Sequence, residues 1–368
     1  MKGSNRMKMM CVLVAMLGAL SLQAAENTGS PFPVQLEVAV PYEPTAFPSD
    51  GRQRVVYELL LRNFEGRALD LQRLRVLDAD VTDAQPLAIY GVTELRKIVQ
   101  PIGVRPKNQE DMTVMPPGGS SMVYLLLTAD AGVTLPRHLR NEVATSAGSV
   151  STVAITTQRD ALQVLSPPLA GANWLAETGL SNDNGHRRGY VVLNGRPVTS
   201  RRYAFDWIKI ENGETFKGDK QKNSAYFGYG SKVLAVADAV VTGLTDGVPQ
   251  NVPGRETAVP MTFRNIPGNS VTLDIGRGHY AHYMHLQPGS LRVKEGERVR
   301  RGQVLGLVGN AGSSFLPHLH FEVTNSPVLL SGEGVPYVFK SFRVTGGTVP
   351  LLHRNELPLE KMVVDFGG

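Results

Sequence analysis

Cysteine is all but missing from the 368 residues, and the single thiol, Cys11, falls inside an apolar run, 9–22, near the amino end. Lys2, Arg6 and Lys8 precede that run and Gln23-Ala24-Ala25 follows it, which is the order of a secretory signal cleaved after Ala24 or Ala25. Met9 and Met10 do not resemble the small residues that precede a lipoprotein cysteine. Loss of a signal peptide at 1–25 therefore leaves a mature protein without a thiol. That excludes disulfides and thiolate ligands, so any metal site must be built from His, Asp or Glu. An exported protein, periplasmic or secreted, is expected.

Long hydrophobic runs are also lacking. The run at 9–22 is shorter than the roughly 20 residues a spanning helix needs, and no other segment is longer, so the mature form is expected to hold no stable membrane span. Nor is there a marked excess of one charge. The 38 Lys and Arg against 33 Asp and Glu give a formal +5, and three of those charges are the amino-terminal cations, which leaves no case for nucleic-acid binding. Repeats, low-complexity tracts and long amphipathic helices are absent from the pattern. Oligomeric state leaves no trace in it.

What the sequence does contain is alternation. Val34, Leu36, Val38 and Val40 repeat every second residue, as do Val55, Tyr57, Leu59 and Leu61, and 122–127 and 153–156 add further strand-like segments. Turn signals such as Asp50-Gly51 and Pro117-Gly118-Gly119 separate them, which predicts an antiparallel β-sandwich over 26–166, with a short helix near 95–99. This half has one histidine, His138, and no catalytic grouping. Ser166-Pro167-Pro168 marks a boundary, because consecutive prolines cannot join a sheet ladder. Beyond it, strands are expected at 233–241, 271–275, 280–286 and 304–308, giving an all-β chain with a second, mostly β domain at 167–345. The tail, 346–368, has no clear pattern.

Six of the eight histidines lie between positions 186 and 320. His318 and His320 stand two apart in Pro317-His318-Leu319-His320-Phe321-Glu322, and on a strand such residues project from one face, so one can bind a metal while its neighbour meets substrate. His282 and His285, three apart on a second apolar strand, fall on opposite faces by the same rule, His285 with Tyr283 and Ala281, and only one can face a site. His279 falls at the preceding turn and reads as a solvated loop residue. Asp206, in Tyr203-Ala204-Phe205-Asp206-Trp207, would be costly to bury without a partner. A cation serves, and so does a salt bridge to Arg201 or Arg202.

Together these segments resemble the lysostaphin/LytM-type zinc endopeptidases that cut peptidoglycan. The resemblance runs through most of 186–325 and is carried by Arg202-Tyr203-Ala204-Phe205-Asp206, Tyr283-Met284-His285-Leu286, Gly296-Glu297-Arg298-Val299-Arg300-Arg301-Gly302-Gln303, Gly309-Asn310-Ala311-Gly312 and Pro317-His318-Leu319-His320-Phe321. It implies one zinc ion, with Asp206 and His320 as ligands and His285 and His318 as catalytic histidines beside the metal. The family's common H-x-x-x-D pattern is broken, since Arg202 holds the histidine's place and has no lone pair to offer. His186 is the only histidine of this half upstream of Asp206, and the longer-insert members of the family imply it as the third ligand.

The expected function is zinc-dependent hydrolysis of peptide bonds in peptidoglycan cross-links or stem peptides. A second reading is a non-catalytic LytM-like regulator of other cell-wall hydrolases, which the intact set of His285, His318, Asp206 and His320 disfavours. A third, the lipoyl-type carrier hairpin over 293–309, lacks a lysine with the right flanks, since Lys294 is the only one there.

Overall fold

The computed structural model describes residues 32–345 and 350–367, so the signal segment and part of the tail lie outside the described residues. Almost all the regular structure is β, as the alternation predicts.

Two antiparallel sheets make up the amino-terminal part. The first runs in the order Leu36–Ala39, Arg52–Asn63, Ser120–Thr128, Val99–Ile102, and the second in the order Gly148–Ser151, His138–Thr145, Leu69–Asp78, Ala88–Gly91. Val55, Tyr57, Leu59 and Leu61 of the long strand join Leu71, Leu74, Leu139 and Val143 of the other sheet in one buried cluster. The Tyr57 hydroxyl crosses between the sheets to Asn141 Oδ1 at 2.8 Å. The opposite face of the same strand is not given to solvent. Val56 packs into the core of the carboxy-terminal part, and Glu58 beside it is only 2% exposed. The helix spans Val92–Ile98, starting earlier than its apolar residues suggest, and its Glu94 carboxylate accepts the Gly91 N–H at 3.1 Å.

The carboxy-terminal part is built on an 11-stranded sheet. Its centre is the antiparallel run Trp174–Thr178, Phe205–Lys209, Leu319–Thr324, Tyr280–Leu286, Asn269–Asp274, Ala239–Thr245. Phe205, Trp207, Tyr283, Phe321 and Phe339 are fully buried on one face, with Phe205 stacked on Trp207 at 5.2 Å and Tyr283 against Phe321 at 5.1 Å.

The tail, which shows no clear pattern in sequence, holds two strands, Leu351–Glu356 and Val363–Asp365, paired with Tyr337–Val344. Leu351–Glu356 is an edge strand with His353 its one buried residue, and Val363–Asp365 is three residues held between Tyr337–Val344 and Trp174–Thr178, so neither shows a legible alternation. The break at Ser166-Pro167-Pro168 falls just after Gln163–Leu165, which already pairs in parallel with Tyr337–Val344. Phe47 and Val56, which precede the prolines, pack in the carboxy-terminal core.

Candidate metal centre

Alternation fixes the site. In Phe205–Lys209 and Leu319–Thr324, Phe205 is registered against Phe321 and Trp207 against Leu319, all on the apolar face, so the intervening pair, Asp206 and His320, project together from the other. Thr178 lies opposite Asp206 on the far side. His318 extends the same face by one step. Its Nε2 stands 3.3 Å from Asp206 Oδ1, and His320 Nδ1 stands 2.9 Å from the same oxygen.

His186 arrives from a separate segment. It sits in the one-turn helix Gly185–Arg188, whose Arg187 N–H is capped by the Asn184 side chain at 2.9 Å, and its Nε2 lies 3.1 Å from Asp206 Oδ2. Ligand atoms of His186, Asp206 and His320 all fall within 4.8 Å of one another. The salt-bridge alternative for Asp206 is not what the chain adopts. Arg202 pairs with Glu58 at 2.8 Å and Glu333 at 2.9 Å, and Arg201 donates to the Gly189 carbonyl at 2.9 Å.

His285 reaches the site by breaking the alternation that its sequence position implies. Its partners on a regular strand would be Ala281 and Tyr283, which face the apolar core. Instead the register slips between Asn269 and Val271, and His285 takes φ = 66°, in the left-handed region. Such a kink re-aims a side chain and costs backbone energy of roughly 1–3 kcal/mol. The His285 ring then lies 4.8 Å from that of His318 and 5.9 Å from that of His320. His282 therefore shares the sheet face of His320, contrary to the simple rule. It is registered against Glu322, further from Asp206, and is spent on hydroxyls, with Nδ1 at 3.0 Å from Thr272 and Nε2 at 2.8 Å from Thr324. His279 is at its expected turn but half-buried.

Each of the four site histidines is pinned through one ring nitrogen. His285 Nδ1 meets the Ala311 carbonyl at 2.8 Å, and His318 Nδ1 meets the Leu316 carbonyl at 2.8 Å. Carbonyls only accept, so both Nδ1 atoms carry protons, and each ring turns its Nε2 to the site. His186 Nδ1 faces Thr178 Oγ1 at 3.1 Å, which also accepts the Asp206 N–H. His320 is reversed: its Nε2 meets Glu322 Oε2 at 3.2 Å, leaving Nδ1 for Asp206. The glycines of 309–312 serve this arrangement. Gly312, at φ +78°, lies where a Cβ would come within 2.4 Å of Gly268 N, and the tight approach holds the Ala311 carbonyl over His285.

Charge follows geometry. Burial opposes ionisation of Asp206, yet His318 and His186 outweigh it and hold the carboxyl well below its usual range. Burial lowers His186 despite Asp206, and burial, with His318 and His320, holds His285 well below 6.5. His320 goes the other way, because Asp206 and Glu322 overcome its burial and raise it to about 9. With protein neighbours alone, the carboxylates keep a proton where a cation would serve equally. Two imidazoles and one carboxylate, without thiolate, are a donor set that fits zinc, and a carboxylate behind a ligating histidine is the usual support for one.

Glu322 and Thr178 were not singled out from sequence. Glu322 could have been, since it stands two residues beyond His320 and so shares its face. No local signal marks Thr178.

The His–Asp–His cluster, flanked by two oriented histidines, thus sits on the central sheet of an all-β chain. Residues 225–330 match the model of Peptidase family M23, and that stretch is an M23 peptidase domain of the LytM/lysostaphin type. It contains His285, His318 and His320 and leaves His186 and Asp206 outside. The chain is 39% identical over 94 residues to a peptidoglycan DD-endopeptidase of Vibrio cholerae, covering 24% of this chain and 21% of that protein. It is 46% identical over 61 residues to a glycyl-glycine endopeptidase of Staphylococcus capitis, 16% of either chain. A DD-carboxypeptidase/endopeptidase of Neisseria meningitidis is 35% identical over 111 residues, 28% of this chain and 25% of that one. The matches thus span a quarter or less of these relatives' lengths.

Proposed function

We propose that the chain is an exported zinc endopeptidase that hydrolyses peptide bonds of peptidoglycan. The observation that carries this reading is the convergence of His186, Asp206 and His320 ligand atoms within 4.8 Å, with His285 and His318 at its edge. His186 Nε2, Asp206 and His320 Nδ1 are the zinc ligands in this reading, and a zinc ion there would polarise the scissile carbonyl and acidify an adjacent water. His285 and His318 do the proton work. With Nδ1 fixed on a carbonyl, one Nε2 takes the proton of the attacking water as its oxygen bonds the carbonyl carbon. That protonated Nε2 then passes the same proton to the departing amine as the C–N bond breaks.

The substrate class is drawn from the relatives, which include a peptidoglycan DD-endopeptidase and a glycyl-glycine endopeptidase, and export from the residues at 1–25. A regulator without catalysis would have no need of four histidines oriented by separate partners. No helix among the described residues is long and apolar enough to cross a membrane. The test is digestion of isolated peptidoglycan by the purified chain, with metal content measured in parallel and released peptides identified by mass spectrometry. Stoichiometric zinc with release of cross-link or stem peptides is expected. Bound zinc with no released peptide would instead favour the regulator.

A further inference from the structure

The amino-terminal sheets hold no catalytic grouping, yet one of their residues lies fully inside the structure that carries the candidate ligands. We propose that Glu58 is a positioning residue for the metal centre, so that the amino-terminal part is a component of the site and not a separable spacer. This rests on the reading of His186, Asp206 and His320 as zinc ligands.

Glu58 sits mid-strand in Arg52–Asn63, on the face turned away from the sheets' own core, with a side chain 3% exposed. Both its oxygens are taken by arginines of the carboxy-terminal part. Oε1 accepts from Arg187 Nε at 2.8 Å, and Oε2 accepts from Arg202 Nε at 2.9 Å and Nη2 at 2.8 Å. Arg187 is 1% exposed and adjoins His186. Its remaining donors go to the carbonyls of Tyr57 at 2.7 Å and Leu125 at 2.9 Å, both on the same amino-terminal sheet, and to Asn182 Oδ1 at 2.7 Å. Arg202 precedes Asp206 by four residues, in the single turn Ser200–Tyr203 that leads into its strand, and also meets Glu333.

One carboxylate thus ties down both segments that deliver ligands. The dependence is sharper for His186. Its helix has four residues, and a single turn is too short to be stable unaided, so its place must be set by tertiary contacts. Neighbouring residues of a helical turn point about 100° apart, which lets Arg187 reach into the sheet while His186 faces Asp206. Arg202 occupies the place of the family's ligand histidine, and here that side chain belongs to the clamp. The same substitution that removes one possible ligand therefore contributes to holding its replacement.

The test is zinc affinity of the full chain, measured by competition with a chromophoric chelator, for wild type, Glu58→Gln and Val143→Ala. Val143 lies in the sheets' own buried cluster and is not among the hydrogen-bond partners of either arginine, so it reports general loosening. Glu58→Gln keeps the shape and removes the charge. Zinc binding roughly 10- to 100-fold weaker is expected in Glu58→Gln, in the range seen when support behind a ligand is lost, with a cobalt-substituted spectrum shifted from wild type. Val143→Ala should keep wild-type zinc affinity even as its melting temperature falls. Folded Glu58→Gln with affinity within twofold of wild type overturns the proposal, as does equal weakening in Val143→Ala. Should Glu58→Gln not fold, Arg187→Lys carries the same expectation, since it keeps a cation but loses the fork of donors. Wild type that binds no zinc would overturn the ligand reading itself, a different result from either.

Discussion

Replacing Glu322 with glutamine removes one charge from behind His320 and leaves the shape nearly unchanged. The side chains of the pair are 3% and 0% exposed, with 3.2 Å between His320 Nε2 and Glu322 Oε2. A glutamine carbonyl can still accept the Nε2 proton, so the ring keeps its orientation and Nδ1 stays aimed at Asp206. What is lost is the negative charge that makes the imidazole a better donor to a cation and, in the metal-free protein, helps to raise His320 to about 9. Loss of a support of this kind weakens a metal site by roughly 10- to 100-fold, or about 1.4–2.7 kcal/mol. Zinc affinity of Glu322→Gln and Glu322→Ala, measured by chelator competition, should fall in that range for the first and further for the second, which also loses orientation. Unchanged affinity in Glu322→Gln, in a protein that melts as wild type does, would refute the argument that this carboxylate tunes His320.

The two histidine classes should separate by metal content: His186→Ala and His320→Ala lose zinc and activity together, whereas His285→Ala keeps zinc and loses rate by roughly 10²- to 10⁴-fold. Mass spectrometry of native protein with a single-turnover assay distinguishes them, and a zinc-free His285→Ala would place His285 among the ligands. Arg202→His should not restore zinc to His186→Ala, because position 202 is directed at Glu58 and Glu333. Denaturant unfolding should show it destabilised by about 3–5 kcal/mol, as expected for breaking a buried ion pair. Acid should act on the same clamp. Burial opposes ionisation of Glu58, but Arg202 and Arg187 prevail and lower it below 4.5, so its contribution is complete above that value and is lost as pH falls through the depressed folded value. Glu58→Gln should therefore show a flatter decline of stability below about pH 4.5 than wild type, and parallel declines would count against the pairing.

Local rules carried the sequence reading as far as contacts are local. The period of two in Val55, Tyr57, Leu59 and Leu61 gave the core face of a strand, and the spacing of His318 and His320 gave a shared face, because both depend only on pleat geometry. The same rule put His282 and His285 on opposite faces and left open which one meets the site, since nothing in Tyr283-Met284-His285-Leu286 announces a left-handed residue. That kink depends on the slip against Asn269 and on the Ala311 carbonyl that receives Nδ1. Glu58 was invisible for a different reason. It reads as the polar position of an alternating strand, the residue normally given to water, and its partners lie 129 and 144 residues away. The tail strands were hidden because Leu351–Glu356 takes its order from the Tyr337–Val344 edge.

Several costly features gather around the candidate site. A non-glycine residue at φ = 66°, a carboxylate surrounded by three imidazoles, and two arginines buried on one glutamate each cost stability that packing alone would not demand. Asp206 and its imidazoles lie on one face of the central strands, while the other face carries the stacked aromatics. Apolar residues at Asp206, His320 and Glu322 would satisfy the same ladder with less desolvation. Their presence in a well-packed sheet fits the proposed metal-binding role of that face, and the arginine clamp fits the proposed positioning of His186, which no strand supplies.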